Sequence, residues 1–171
     1  DVLTDTNKRM LHIAPEAFLT KQFRKIKGID YLSGDLSAEK AMVQMDITNI
    51  KYPDASFDFI YCSHVLEHVP NDRKALTEFY RVLAKGGLAF LQVPIMANTT
   101  WEDPTILDPQ ERLKHYGQYD HVRRCGPDYV ERMKDAGFDT RVYRASDILG
   151  IEESKKISIN PRRYIFVCKK C

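Results

Sequence analysis

The sequence predicts an α/β domain: a doubly wound, mostly parallel sheet of about seven strands with helices on both faces. Three observations carry the prediction. From Gln44 to Pro94 the order reads strand, loop, strand, loop, helix, strand, the alternation that builds parallel units with right-handed crossovers. Phe57 to Cys62 is a near-continuous apolar run, as expected of a strand covered on both faces. Helix starts at Pro15, Asn71 and Gly126-Pro127-Asp128 are followed by glycine stops, placing helices between the strands.

The elements follow in order. Met10 to Ile13 is the first strand. Pro15 and Glu16 then open a helix, with proline at its first position and an acid in its first turn. Phe18, Leu19, Phe23 and Ile26 recur at helical spacing and Gly28 supplies the stop. Ile29 to Leu32 reads as the second strand, ending at Gly34-Asp35, and Met42 to Met45 as the third, ending at Asp46. After the fourth strand a helix capped by Asn71 buries Leu76, Phe79, Tyr80 and Leu83, and Lys85-Gly86-Gly87 ends it. Leu88 to Val93 is the fifth strand. A helix from Gly126 carries Tyr129, Val130, Met133 and Ala136 and closes at Gly137. Arg141 to Arg144 and Tyr164 to Cys168 are the last strands, joined by a polar loop.

Composition bounds the function. The chain has 171 residues, 43% of them hydrophobic and 29% charged, enough for one domain over 1–171 and too few for two ordinary ones. A formal charge of +2 gives no concentrated basic face, so no nucleic-acid partner is expected. The short basic runs Arg24 to Lys27, Arg123-Arg124 and Arg162-Arg163 read as solvated surface. No apolar run approaches the roughly 20 residues of a membrane helix, and no signal-peptide pattern opens the chain. The expected location is cytoplasmic and the cysteines are expected reduced. Cys168 and Cys171 form C-x-x-C without the second pair that zinc requires, so no metal site is expected. The chain opens on Asp1 rather than Met, so sequence upstream is an open matter.

In an open parallel sheet, ligands bind outside the carboxyl ends of the strands. Asp46 and the Ser63-His64 pair fall on that rim. The run DITNIKYPDASFDFIYCSHVLEHVPNDRKAL, followed by FYRVLAKGG and a strand, resembles the core of the class I S-adenosylmethionine (SAM) dependent methyltransferases, in the group with a VLEH signature after the fourth strand. The resemblance spans roughly residues 10 to 95, and Gly126 to Lys169 fits that family's last helix and two strands.

The resemblance implies SAM as cofactor and assigns residues to it. Asp35, with Leu36 beside it, stands where the family has a ribose-binding acid. Asp46 and Ile47 resemble the adenine site, with the acid accepting from the amine and the apolar neighbour packing on the ring. The first loop departs from the family. Its usual acid and G-x-G run are replaced by LHIAPE, so His12 stands in the acid's place and Ala14, Pro15 and Glu16 replace the glycine turn. A pyrophosphate cofactor needs glycine amides at a helix N-terminus, which opposes a pyridine-nucleotide oxidoreductase. The methionine part of SAM carries an ammonium, for which Glu16 offers a counter-charge.

Ser63 and His64 sit where sulfonium and acceptor must meet. VLEH at helical spacing points His68 to the same side as His64, and Glu67 is either a site acid or a structural one. The segment from Ile95 to Cys125 is too long for an ordinary strand-to-helix link and is expected to form an inserted cover that sets the substrate. Its Trp101, Tyr116, Tyr119 and His121 suit a small polar acceptor such as a sugar or phenol. Its DHVR run, which resembles a recurring element of this subgroup, offers His121 as a general base with Asp120 or Arg123 as partners. The reading is a methyltransferase acting on a small molecule or glycan, at oxygen. The alternative is a catalytically silent SAM-binding or scaffold domain, and the sequence leaves the oligomeric state open.

Overall fold

A computed structural model gives the structure of the protein, and it describes residues 7–171. The first six residues of the expected domain lie outside the described ones. Seven strands form one sheet: β1 (Lys8–Ile13), β2 (Ile29–Asp35), β3 (Val43–Gln44), β4 (Phe57–Ser63), β5 (Leu83–Gln92), β6 (Asp139–Arg144) and β7 (Tyr164–Lys169). Their spatial order is β3-β2-β1-β4-β5-β7-β6. The first five are mutually parallel, and β7 runs antiparallel to both its neighbours. Strand order reverses between β1 and β4, with helical crossovers on opposite faces, so a crevice forms at the carboxyl ends there.

The larger core lies on the face covered by α2 (Asp72–Val82) and α4 (Tyr129–Asp135). There Leu11, Ile13, Ile60, Cys62, Ala89, Leu91 and Phe166 of the sheet meet Leu76, Phe79, Val82 and Met133. On the other face α1 (Ala17–Phe23) lays Phe23 against Met10, Tyr31 and Phe59. Asn71 caps α2 as expected, its side chain accepting from the Lys74 amide at 3.0 Å.

Four expectations are corrected. First, α1 begins at Ala17 and ends at Phe23, short of Gly28, and Phe18 is 70% exposed. Glu16 caps it through its backbone only, because its carboxylate is turned toward His12. Second, Lys85-Gly86-Gly87 lies inside β5 and does not separate it from α2. The register shifts opposite Phe57 and Phe59. Gly86 takes φ +78, and a Cβ on Gly87 would come within 2.8 Å of the Asp58 carbonyl oxygen, so the pair forms an irregularity that only glycine fits. Third, the loop between β6 and β7 holds two short helices, α5 (Ala145–Leu149) and α6 (Ile151–Lys156).

Fourth, the basic run Arg123-Arg124 is not simply solvated, since Arg123 is 1% exposed. Its Nε donates to Glu102 Oε2 at 2.7 Å and its Nη atoms donate to the carbonyls of Leu66, Val69 (2.8 Å) and Pro70 (3.0 Å). Asp72, which bonds Arg132 and the Tyr129 hydroxyl, lies 3.5 Å away. The planar guanidinium with five donors suits this cluster of carbonyls. Through it the segment 95–125 grips the turn that follows β4. That segment is not a bare loop: α3 (Pro109–Tyr116) starts at the Asp108 cap, ends at Gly117, and buries Tyr116. Its ends are stitched by the Ile95–Cys125 and Trp101–Arg124 bridges.

Candidate active site

A cleft of about 360 Å³ opens at the carboxyl ends of β1, β2 and β3, beside the 3-10 turn Leu66–His68 that follows β4. Ile13 and Ala14 line it from β1, Asp35 and Leu36 from β2, Asp46 and Ile47 from the end of β3, and His68 from the turn. Each position follows from the topology, because parallel strands deliver their last residues to one edge.

Two carboxylates give the cleft its chemistry. Asp35 Oδ1 accepts from the Ser37 amide at 2.8 Å, which fixes the side chain and leaves Oδ2 for a ligand. Asp46 Oδ1 accepts from the Thr48 amide and hydroxyl, both at 2.8 Å. Those bonds hold its carboxyl below the usual carboxylate range, so it stays an ionised acceptor. Ile47 and Val65 supply apolar walls. Two acids spaced along a partly apolar cleft match a group with hydroxyls at one point and a donor-bearing flat ring at another, so the residues present fit a nucleoside.

A second, shallower depression of about 380 Å³ lies beside the first and is lined by His64, Val93, Asn160, Arg162, Arg163 and Tyr164. His64 Nδ1 lies 3.3 Å from Glu67 Oε1, and its Nε2 accepts from Arg163 Nη2 at 3.1 Å. Its backbone takes φ +55, a conformation that costs a non-glycine residue about 1–2 kcal/mol and that concentrates at functional sites.

Residues 2–91, 90 of the 171, match the family model described as a methyltransferase domain. The chain belongs to this methyltransferase family.

It is 33% identical over 157 residues to the ubiquinone/menaquinone biosynthesis C-methyltransferase of Hydrogenovibrio crunogenus, an alignment covering 83% of this chain and 57% of that protein. The chain thus spans little more than half the length of that relative. Among solved structures, a phosphoethanolamine N-methyltransferase of Haemonchus contortus in complex with SAM superposes with a TM-score of 0.64 at 16% identity, over 97% of this chain and 49% of that one. A SAM-dependent methyltransferase of Mesorhizobium loti gives a TM-score of 0.64 at 13% identity, over 96% and 92%. At these identities the structural matches speak for the fold alone.

The expected site residues divide among three places. Ala14, Asp35, Leu36, Asp46 and Ile47 converge on the first cleft, and His64 lines the second depression. Pro15, Glu16 and Ser63 line neither. Glu16 Oε2 sits 2.7 Å from His12 Nε2, and His12 Nδ1 meets the Tyr31 hydroxyl at 2.9 Å. His12 is therefore a buried histidine bonded at both ring nitrogens, and burial lowers its pKa below 6.5 against the opposing pull of Glu16. Ala14 takes φ +48, the left-handed geometry a glycine would adopt freely. The loop keeps a glycine-like bend without the glycine.

Helical spacing misplaced His68. The turn is 3-10 and leaves from a left-handed His64, so His68 lines the first cleft and His64 the second. His121 is corrected as well: it is 1% exposed and lines neither cleft. Its ring meets that of His68 edge-on at 4.6 Å between centroids. Asp120 faces His68, at 3.3 Å, and Arg123 is consumed by the carbonyls of the turn. Sequence reasoning missed Val65, Val69, Pro70 and Thr48 as cleft walls. The VLEHVP run carried that signal, since a tight turn after β4 must fold back over the cleft.

Proposed function

We propose that this chain is a SAM-dependent methyltransferase that acts on a small-molecule acceptor, at an oxygen, with His64 as the general base. The observation that carries the reading is the Glu67–His64 pair at the carboxyl end of β4. Glu67, 1% exposed, accepts from His64 Nδ1, which directs the Nε2 lone pair outward. A base oriented by a buried carboxylate is the arrangement that takes a proton from a weakly acidic hydroxyl. In the free protein Arg163 donates to that lone pair. An acceptor bearing an anionic or polyhydroxyl group would draw Arg163 to itself and release Nε2.

SAM supplies an electrophilic methyl group on a sulfonium. The protein's work is alignment and exclusion of water. Asp35 would hold the ribose hydroxyls with Leu36 flanking them, Asp46 the adenine amine, and Ile47 the ring. Ala14 would stand nearest the methionine part, and Pro15, Glu16 and Ser63, which line neither cleft, are assigned there by the family resemblance alone. Segment 95–125 would bound the acceptor side. A glycan acceptor fits the same polar depression.

A second reading has its own support. The curated relative is a C-methyltransferase of quinone biosynthesis, which favours an acidic ring carbon as acceptor, and the same base would serve it.

Calorimetric titration with SAM, its demethylated product and NAD, followed by methyl transfer from labelled SAM to phenols, hydroxy acids and hydroquinones, tests the proposal. SAM should bind, NAD should not, and His64→Asn should lower turnover by about a hundredfold with SAM affinity kept. Labelling at carbon would replace the oxygen assignment. Full activity in His64→Asn would remove the base, and SAM binding with no transfer to any acceptor would favour a silent binding domain.

A further inference from the structure

Behind the cleft, Glu67, His68 and His121 each offer one ligand atom, and these atoms lie within 4.8 Å of one another. Glu67 Oε2 and His121 Nδ1 are buried, and neither meets a hydrogen-bond partner among the described residues. Two such atoms on side chains of one cluster are unusual, since buried polar groups are paired or coordinate a metal.

The remaining atoms of the three side chains are engaged in the way metal ligands are. His68 Nδ1 lies 3.3 Å from Asp120 Oδ2, leaving its Nε2 free. Glu67 Oε1 lies 3.3 Å from His64 Nδ1, leaving Oε2. His121 Nδ1 has no partner among the described residues, so in the tautomer protonated at Nε2 its lone pair is open. An outer carboxylate or carbonyl that orients the ring is the usual support for a metal-bound histidine. The nearby cation Arg123 is already matched by Glu102 and Asp72.

We propose that Glu67, His68 and His121 form a binding site for one divalent transition-metal ion. Two imidazoles and a carboxylate favour Zn²⁺, Co²⁺ or Fe²⁺ over Mg²⁺ and Ca²⁺, which prefer oxygen ligands. Three protein ligands leave positions for water or an oxygen of a bound molecule. Metal bonds near 2.1 Å set neighbouring ligands about 3–4 Å apart, so the cluster contracts by about an ångström on binding. Glu67 and His68 come from the turn after β4 and His121 from segment 95–125, so the ion joins two parts of the chain otherwise clamped by Arg123. This also revises the expectation of no metal, which weighed only the C-x-x-C pair. Cys168 of that pair is buried and Cys171 exposed.

The test uses untagged protein stripped with a chelator, titrated with Zn²⁺ by calorimetry and with Co²⁺ by visible absorption. One ion per chain is expected, with Co²⁺ bands from nitrogen and oxygen ligands and a thermal midpoint that rises with Zn²⁺. His121→Ala and His68→Ala should each weaken binding at least tenfold or so and abolish the thermal shift. Because His121 is buried, its variant can lose fold. His68→Ala, at a partly exposed ring, carries the same prediction, with circular dichroism to confirm a native spectrum. Failure of the wild-type protein to take up either ion overturns the site, as does uptake unaltered by His68→Ala. Neither outcome depends on methyl transfer.

Discussion

Replacing Asp35 by Ala isolates the strand-end acid on which the cofactor assignment rests most heavily. Asp35 ends β2 in register with Gln44, and its backbone carbonyl accepts from the Met45 amide at 2.7 Å. Those main-chain bonds survive truncation. The side chain's one hydrogen bond among the described residues is from the Ser37 amide, so the loss of stability should be only about 0.5–1.5 kcal/mol. Cofactor affinity should fall much further, because charge-assisted bonds to ribose hydroxyls contribute about 1.5–3 kcal/mol, roughly ten- to hundredfold in Kd. Asp35→Asn keeps an acceptor for Ser37 and loses the charge, so it should fall between wild type and Ala, weakened about five- to tenfold. Titration calorimetry with SAM and with its demethylated product reads the affinities, and urea unfolding reads the stability. An Asp35→Ala affinity equal to wild type would falsify the ribose assignment. A stability loss above about 3 kcal/mol would mean that the affinity change reports unfolding.

Arg123→Met should destabilise by about 3–5 kcal/mol, the usual cost of breaking a buried charged cluster by removing one partner. With a urea slope near 2 kcal/mol/M, the midpoint falls by roughly 1.5–2.5 M, and a shift below about 0.5 M would contradict the clamp. Burial lowers the pKa of both His12 and His121 below 6.5. The unfolded chain then binds more protons than the folded one below that value, so stability should be complete above about pH 6.5 and decline as pH falls from there toward the folded-state values. Urea midpoints between pH 7.5 and 5 follow this, and a curve flat across that range would refute it.

The strands and their rim were legible because burial on both faces writes a continuous apolar run and parallel topology sends strand ends to one edge. Asp35 and Asp46 read as strand ends on that pattern, the family resemblance singled them out with Ile47, and all three line one cleft. The α1 pattern misled because periodicity reports a face, not its cover: Phe18 shares the spacing of Phe23, yet the helix ends after two turns and leaves Phe18 in solvent. In α3 the signals were present, an Asp cap, proline at the first turn and a closing glycine. The expectation of a cover over 95–125 assigned no helix to them.

What local sequence does not encode is who meets whom across a long separation. Nothing in DHVR tells that Arg123 reaches 54 residues back to Val69 or that Val122 donates to the Glu67 carbonyl. Those two contacts turn His121 away from the clefts and toward Glu67 and His68. The same geometry decides the histidine roles. His64 leaves β4 in a left-handed conformation and faces the polar depression, whereas His121 approaches from behind the turn, where a proton taken from an acceptor would have to cross a packed wall. A base must reach its proton within hydrogen-bond distance, which is why the proposal gives the proton transfer to His64 and leaves to His121 the buried cluster in which its Nδ1 has no other partner among the described residues.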